Sequence, residues 1–313
     1  MKKIALAIIA AAGMALSAPA SALLINTAIG ADETEAATTL TDALLAPGGG
    51  INVLSSTFVG NLSTPQSGTY SDLNLVSSAG GPSIALDDGI FLTSGSAEIP
   101  ATNTDSAFTG VPATGGDAEV TAILDAAAAP SSVVNDVNSL FIEFTVDPGV
   151  NSVNAQFVFG SDEFPDQDVT DFFLFIVDGV NYAFFPDNSL VSFVVGVNAA
   201  NFVDNSNPGQ YDIEYDGLSI ALGVSGLLDT NLASHTLKVV IGDTADSAFD
   251  SGVFIAGLTA SESTSGGICG GVDQPPCPDD DPNNEVPEPT SLALLAAGAA
   301  GMGAIRRRRR TTR

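Results

Sequence analysis

The chain has 313 residues, with 9 Lys and Arg against 37 Asp and Glu and a formal charge of −28. All the bases but Lys238 lie at the two ends, as Lys2, Lys3, Arg306 to Arg310 and Arg313, so residues 23–305 set 37 acids against a single base. A body this acidic repels phosphate backbones, which excludes nucleic acid as a partner. It has no Gly-rich loop ending in Gly-Lys to clamp a nucleotide. Apolar residues make up 45% of the chain and Phe occurs 17 times, enough for a folded core rather than disorder.

Residues 1–22 read as a secretory signal peptide. Lys2 and Lys3 form the charged start, Ile4 to Leu16 the apolar run, and Ala20-Ser21-Ala22 the small-x-small cleavage site. The run is short of the roughly 20 residues a membrane span needs. Passage through the secretion translocon and cleavage by signal peptidase between Ala22 and Leu23 are expected.

A body over 23–262 follows. Thr34 to Leu45 predicts a short helix stopped by Gly48 to Gly50. Asp117 to Ala128 predicts a second, with acids in its first turn and Pro130 beyond its end. Strand patterns dominate the rest. Leu140, Ile142, Phe144 and Val146 alternate with Phe141, Glu143 and Thr145. Val153, Ala155, Phe157 and Phe159 alternate with Asn154, Gln156 and Val158. Leu237, Val239 and Ile241 alternate with Thr236, Lys238 and Val240. Period two marks half-buried strands. Phe172 to Val177 is apolar on both faces and is expected centrally in its sheet. Asp178-Gly179 and Tyr182 to Phe185 then predict a tight hairpin. About ten strands and two short helices predict an all-β fold, an antiparallel, jelly-roll-like β-sandwich. N- and C-terminal hydrophobic helices are expected to flank it.

Two strand-to-strand loops concentrate acid. Residues 160–171 carry Asp162, Glu163, Asp166, Asp168 and Asp171; residues 242–252 carry Asp243, Asp246 and Asp250. Carboxylates about 5 Å apart repel by roughly 3 kcal/mol at an effective dielectric of 20. An ordered loop holding several together therefore favours a bound cation. All-oxygen ligands select a hard ion, and Ca²⁺ is the natural one outside the cytoplasm. The candidate ligands are Asp162, Glu163, Asp171, Asp243 and Asp250. The strands leading into the loops, Val153–Phe159 and Leu237–Ile241, are expected as neighbours in one sheet. EF-hand spacing is absent, and the alternative is that these are solvated loop acids.

His235 is the single histidine and shares the parity of Leu237 and Val239, so a packed imidazole is expected rather than a catalytic base. No Gly-x-Ser-x-Gly elbow occurs. Asp162 with Glu163 as a glycosidase pair is disfavoured, because adjacent residues point apart and Trp, the usual sugar platform, is absent. No catalytic residue and no organic cofactor are assigned.

Residues 263–285 form a linker rich in Pro, Gly, Ser and acid, expected as an exposed spacer. In an exported chain its two cysteines, Cys269 and Cys277, are expected to pair as a disulfide. Residues 286–313 then bring Val286-Pro287-Glu288-Pro289-Thr290-Ser291, an apolar helix over 292–305, and Arg306 to Arg310. This order resembles the PEP-CTERM sorting signal of Gram-negative bacteria. The resemblance implies transient insertion of the helix into the inner membrane, arginines on the cytoplasmic side, and cleavage at Val286 to Pro289 by an exosortase.

A second resemblance covers about 39–258. Phe157-Val158-Phe159-Gly160-Ser161-Asp162-Glu163-Phe164-Pro165-Asp166 is similar to the aromatic-x-Phe-(Ala/Gly)-Ser-Glu-Glu-Tyr-Pro-Glu signature of the choice-of-anchor L domain. Asp171 to Phe175, Ile213-Glu214-Tyr215-Asp216-Gly217-Leu218, Lys238 to Asp243 with Asp250 to Phe254, and Ile90 to Gly95 resemble its other segments. The departures are mild: Asp162 for Glu, Phe164 for Tyr, Ser219 for Thr, and Ala/Gly exchanges. The resemblance implies an exported surface domain and supplies no reaction. The expected role is non-enzymatic: an exosortase-sorted protein of the cell surface or extracellular matrix that binds divalent cations and associates with exopolysaccharide. The alternative is a carbohydrate-binding or carbohydrate-cleaving sandwich with Tyr182, Tyr211 or Tyr215 as platforms.

Overall fold

Alternation of period two becomes paired strand throughout the body. The computed structural model describes residues 23–110, 114–129, 131, 133–206 and 208–269. The signal peptide over 1–22, Cys277, most of the linker, and the sorting region with the helix expected over 292–305 lie outside the described residues. In chain order the elements are β1 (Ile25–Asn26), α1 (Glu33–Leu44), β2 (Ile51–Val59), β3 (Ser67–Tyr70), β4 (Leu73–Leu75), β5 (Ile84–Leu86), β6 (Gly89–Thr93), α2 (Ala118–Ala126), β7 (Val134–Val146), β8 (Ser152–Ser161), β9 (Phe172–Val177), β10 (Val180–Asn181), β11 (Phe202–Asp204), β12 (Gly217–Ser219), β13 (Leu222–Leu227), β14 (His235–Thr244), β15 (Ser251–Ser261) and β16 (Gly267–Cys269).

The described chain is mostly antiparallel β with two α-helices. Apart from the separate two-stranded pair β4-β5, one sheet runs β1-β3-β6-β15-β8-β12-β11, with β13 also on β8 and β16 on β13; the other runs β10-β9-β14-β7-β2. One hydrophobic cluster draws on both. Ile90, Phe157, Phe159 and Ile255 come from the first sheet, and Ile142, Phe173, Phe175 and Val239 from the second. The two sheets are thus layered over a common core, the arrangement in which each hides its apolar face.

Several strand expectations change in this context. The segment Val153–Phe159 is not half-buried: its second face, through Val158, joins a separate cluster with Phe91, Tyr215 and Phe254. Phe172–Val177 is not central, since only the two-residue β10 lies outside β9. It is buried on both faces because Phe172, Leu174 and Ile176 are covered by Val120 and Leu124 of α2. Strand β10 is Val180–Asn181 rather than Tyr182 to Phe185. The tight turn stands, with Asp178 at φ 48° and Gly179 at φ 82°, both left-handed as a two-residue hairpin of this hand requires. The spacer expected from 263 is already structured at its start, where Gly267–Cys269 pairs with Gly223–Ser225 of β13. Cys269 is disulfide-bonded.

Both helices begin on an aspartate. Asp32 accepts from the N–H of Thr34 and Glu35 at 2.9 and 3.0 Å, and Asp117 from Glu119 and Val120 at 2.9 and 3.2 Å. Such caps are worth about 1 kcal/mol each. Lys238, on the outer face of β14, holds α2 through Asp117 at 2.5 Å and Glu119 at 3.0 Å. Among the described residues, no helix is long and apolar enough to cross a membrane.

Candidate metal centre

Two chain segments cross between the layered sheets at the same rim. Residues 162–171 carry the chain from β8 in the first sheet to β9 in the second. Residues 245–250 carry it back, from β14 to β15. The strands leading in, β8 and β14, therefore lie in different sheets, not side by side as expected. Alternation reports which face of a strand is buried but not which strand lies beside it, and here it pairs across layers. The acid loops meet nonetheless, because each is an arch over the same gap.

Strand register sets the meeting. Ser161 pairs with Ser251 at one foot, and Phe172 with Gly242 at the other. The next residue on each strand is an acid: Asp162 stands beside Asp250, and Asp171 beside Asp243. The N–H of Asp162 donates to the carbonyl of Asp250 at 3.2 Å. At the other foot the hydroxyls of Thr170 and Thr244 are 3.0 Å apart. Asp171 lies two residues before Phe173, and Asp243 two after Ile241, so both continue the inward parity of the core. The β14–β7 pairing bulges between Ile241 and Asp243, a device that re-aims a side chain at a sheet end.

All five predicted acids are buried: Asp162 and Asp250 are 1% exposed, and Glu163, Asp171 and Asp243 are 0%. These five are therefore not solvated loop acids, whereas Asp166, Asp168 and Asp246 of the same loops are exposed. Eight of their carboxyl oxygens make no hydrogen bond of good geometry, although the Ser251 hydroxyl stands close to Asp171 and the Ser94 hydroxyl close to Asp243. These are both oxygens of Glu163, Asp171 and Asp243, Oδ2 of Asp162 and Oδ1 of Asp250. Each such orphan costs about 1–3 kcal/mol. No protein cation offsets them, because the one Lys or Arg among the described residues is Lys238, committed to α2.

Burial accordingly pushes the carboxyls of Asp162 and Glu163 up to about 9 and that of Asp250 to about 7. Neighbouring acids add to the effect: Asp216, Glu214 and Asp250 on Asp162, and Asp246, Asp243 and Asp250 on Glu163. Burial likewise holds Asp171 and Asp243 well above the usual carboxylate range, Asp171 with a further push from Asp243 and Asp243 from Asp250. Among the described residues, no three His, Cys, Asp or Glu side chains already converge as a finished metal cage. The acids are close neighbours whose oxygens would have to turn onto an ion.

A third segment, residues 94–110, closes over the arches. Asp250 Oδ2 accepts from the Gly110 N–H, the Asp250 N–H donates to Phe108 at 3.1 Å, and the Ser251 N–H donates to Ser94 Oγ at 3.0 Å. Gly95 is needed here, since a Cβ on it would fall 1.7 Å from Asp250 Oδ2. Three further buried acids escaped the sequence reading as site residues: Asp136, Glu214 and Asp216, at 3%, 0% and 2% exposure. Asp136 lies in the polar opening of β7, Asn135 to Ser139, where the sequence offers no signal for its burial.

The other chemical readings separate from this centre. His235 is 6% exposed, and its Nδ1 lies 2.8 Å from Asp178 Oδ2. It opens the strand that Asp243 nearly closes, roughly 26 Å away at a strand rise of about 3.3 Å per residue. The expected sugar platforms are not exposed: Tyr211 and Tyr215 are 2% and 0% exposed, and Tyr182 packs half-buried against the core. A surface groove of about 950 Å³ contains none of the five acids and has Tyr70 as its one aromatic lining residue.

Residues 31–260 match the family model for the choice-of-anchor L domain. Residues 285–310 match that for the PEP-CTERM protein-sorting motif. No curated protein and no solved structure matches the chain.

Proposed function

Since the chain belongs to the choice-of-anchor L domain family and carries a PEP-CTERM sorting motif, we propose that it is a non-enzymatic surface protein whose two arches close on a divalent cation, Ca²⁺. The sorting motif marks the chain for exosortase-dependent export to the cell surface or beyond. In our reading the transient inner-membrane stage uses the apolar segment 292–305, and the two layered sheets act as a rigid, jelly-roll-like sandwich.

The observation that carries the cation reading is the set of eight orphaned carboxyl oxygens at the feet of both arches with no base beside them. Buried carboxylates persist only if protonated, paired or bound to metal. Ca²⁺ takes six to eight oxygens at about 2.3–2.6 Å and tolerates irregular geometry. Small rotations of Glu163, Asp171, Asp243 and Asp250 would supply most of them, and carbonyls of the arches the rest. A bound ion would cross-link the two sheets at their rim. In an extracellular medium rich in Ca²⁺, the fold would then be strongest after export. The acidic exterior would also gather cations that bridge to anionic exopolysaccharide, the partner class we assign.

Equilibrium dialysis of the full chain against Ca²⁺ tests the site. The native protein should retain ion and Asp243→Asn should lose it; equal retention by both would refute the assignment.

A further inference from the structure

Five acids with no more than 1% exposure can take up an ion only if the ion has a way in. The strands at the feet of the arches cannot part without breaking their ladders, so the way in lies through the irregular chain laid over them. Residues 95–110 contain no helix or strand and form an Ω-loop, a surface loop whose two ends meet. A Cβ on Gly110 would lie 3.1 Å from the Gly95 Cα and would collide with the Ser96 backbone nitrogen. One side chain closes this neck. Asp250 Oδ2 accepts from the Gly110 N–H and lies against the position a Cβ on Gly95 would take. Its other oxygen, Oδ1, makes no hydrogen bond.

We propose that residues 95–110 are a flap that gates the cation site, held shut at its neck by Asp250 when the ion is bound. The proposal rests on the reading of the five acids as a cation site. At the start of the flap, Ala97 and Ile99 pack into the cluster around Phe91 and Phe254, which makes a hinge. Beyond it, from Pro100 to Gly110, no side chain belongs to a hydrophobic cluster, and only Asn103 is buried. Hydrogen bonds hold this part, and they run to two places. Asn103 Nδ2 donates to Asp216 Oδ1 at 2.6 Å and to the Asn205 carbonyl at 2.8 Å, and the Asp105 N–H donates to Glu214 at 2.8 Å. Thr109 Oγ1 accepts from the Phe249 N–H, and the Phe108 carbonyl from the Asp250 N–H, both at 3.1 Å. A segment tied by hydrogen bonds rather than by apolar packing opens locally, at a fraction of the cost of global unfolding. Asp250 links that opening to the ion. An ion on Oδ1 fixes the carboxylate whose Oδ2 holds Gly110, so bound ion and closed neck stabilise each other. A flap that opens more often lets the ion leave sooner.

Two measurements on the full chain test the flap. Hydrogen exchange read by mass spectrometry, in EDTA and in saturating Ca²⁺, reports the coupling. Amides in 96–110 should exchange several-fold more slowly with Ca²⁺, and Asp243→Asn should remove the difference. Rapid mixing of the Ca²⁺-loaded chain with a chromophoric chelator gives the release rate. Asn103→Ala removes a tie of the flap and no ligand of the ion, and should release Ca²⁺ several-fold faster than the native chain. Thr109→Val, an exposed change that removes the acceptor of the Phe249 N–H, takes its place if Asn103→Ala does not fold. Exchange in 96–110 that is alike in both buffers, or release at the native rate from a folded, loosened variant, would overturn the flap. Ca²⁺ retention that Asp243→Asn abolishes would in that case still keep the cation site. A native chain that retains no Ca²⁺ would overturn both.

Discussion

Asp171 and Asp243 face each other at the rim of the second sheet, each one residue past the paired Phe172 and Gly242, and each with both carboxyl oxygens buried and without a hydrogen bond of good geometry. Two carboxylates so placed cannot both ionise unless a cation joins them. Protons and metal therefore compete for one place, and the predictions below follow from that competition.

Without metal, the fold should weaken as pH rises. The acids Asp162, Glu163 and Asp250 have unfolded values of 3.8 to 4.5 and folded values of about 9, 9 and 7. Between these limits the folded state keeps protons that the unfolded chain has shed. Stability is then fully present below about pH 4 and is lost as pH climbs through 7 to 9. The slope is about −1.4 kcal/mol per pH unit for each proton kept only in the folded state. Urea unfolding in EDTA from pH 5 to 9 should show falling midpoints, and saturating Ca²⁺ should flatten the trend. A rising trend in EDTA would contradict protonated acids.

Gly95→Ala should damage the centre without touching an acid. The added methyl meets Asp250 Oδ2, which the Gly110 N–H already holds in place. Overpacking of this kind costs about 1–3 kcal/mol. Denaturant unfolding should show that loss, and Ca²⁺ affinity should fall with it. Native affinity in a destabilised variant would separate Gly95 from the site.

Asp178→Asn is the matching control at the far end of β14. Asp178 accepts from the N–H of Thr236 and Asp229, both at 2.9 Å, and from His235. Asn tolerates the left-handed turn but replaces one acceptor oxygen with a donor, leaving a buried donor unpaired at a cost of about 1–3 kcal/mol. Its melting temperature should drop while its rise on adding Ca²⁺ stays native in size.

In a host with an exosortase, the mature protein should end near Val286 to Pro289 and lack Leu292 to Arg313. Intact-mass spectrometry reads this directly. An Arg-terminated tail on most mature molecules would refute the sorting assignment. Replacing Pro287, Glu288 and Pro289 with Ala should leave the chain in the inner membrane.

The first arch was legible because five carboxylates fall within residues 162–171 beside a strand as apolar as Phe172–Val177, although two of them, Asp166 and Asp168, stay exposed outside the centre. Both helices and the Asp178-Gly179 turn were legible for local reasons: a capping aspartate and a left-handed pair. What stayed hidden was partnership. Nothing in Val153–Phe159 or Leu237–Ile241 says which sheet each joins, because pairing is settled by contacts far apart in the chain. Glu214 and Asp216 were visible only as parts of a motif. Their burial depends on Asn103 and on the N–H groups of Thr104 and Asp105, more than a hundred positions away. The short strand Gly267–Cys269 was masked by its Gly- and Ser-rich surroundings and forms only because β13 has a free edge there.

Thermal unfolding in EDTA and in millimolar Ca²⁺, at matched ionic strength to remove simple screening, tests the cation between the arches most directly. An ion bound at a hundredfold excess over its Kd adds about 2.7 kcal/mol to the folded state, a rise of roughly 5–10 °C in Tm for a domain of this size. Asp243→Asn should abolish most of that rise. Coincident transitions in the two buffers, or a rise that Asp243→Asn leaves whole, would contradict the account.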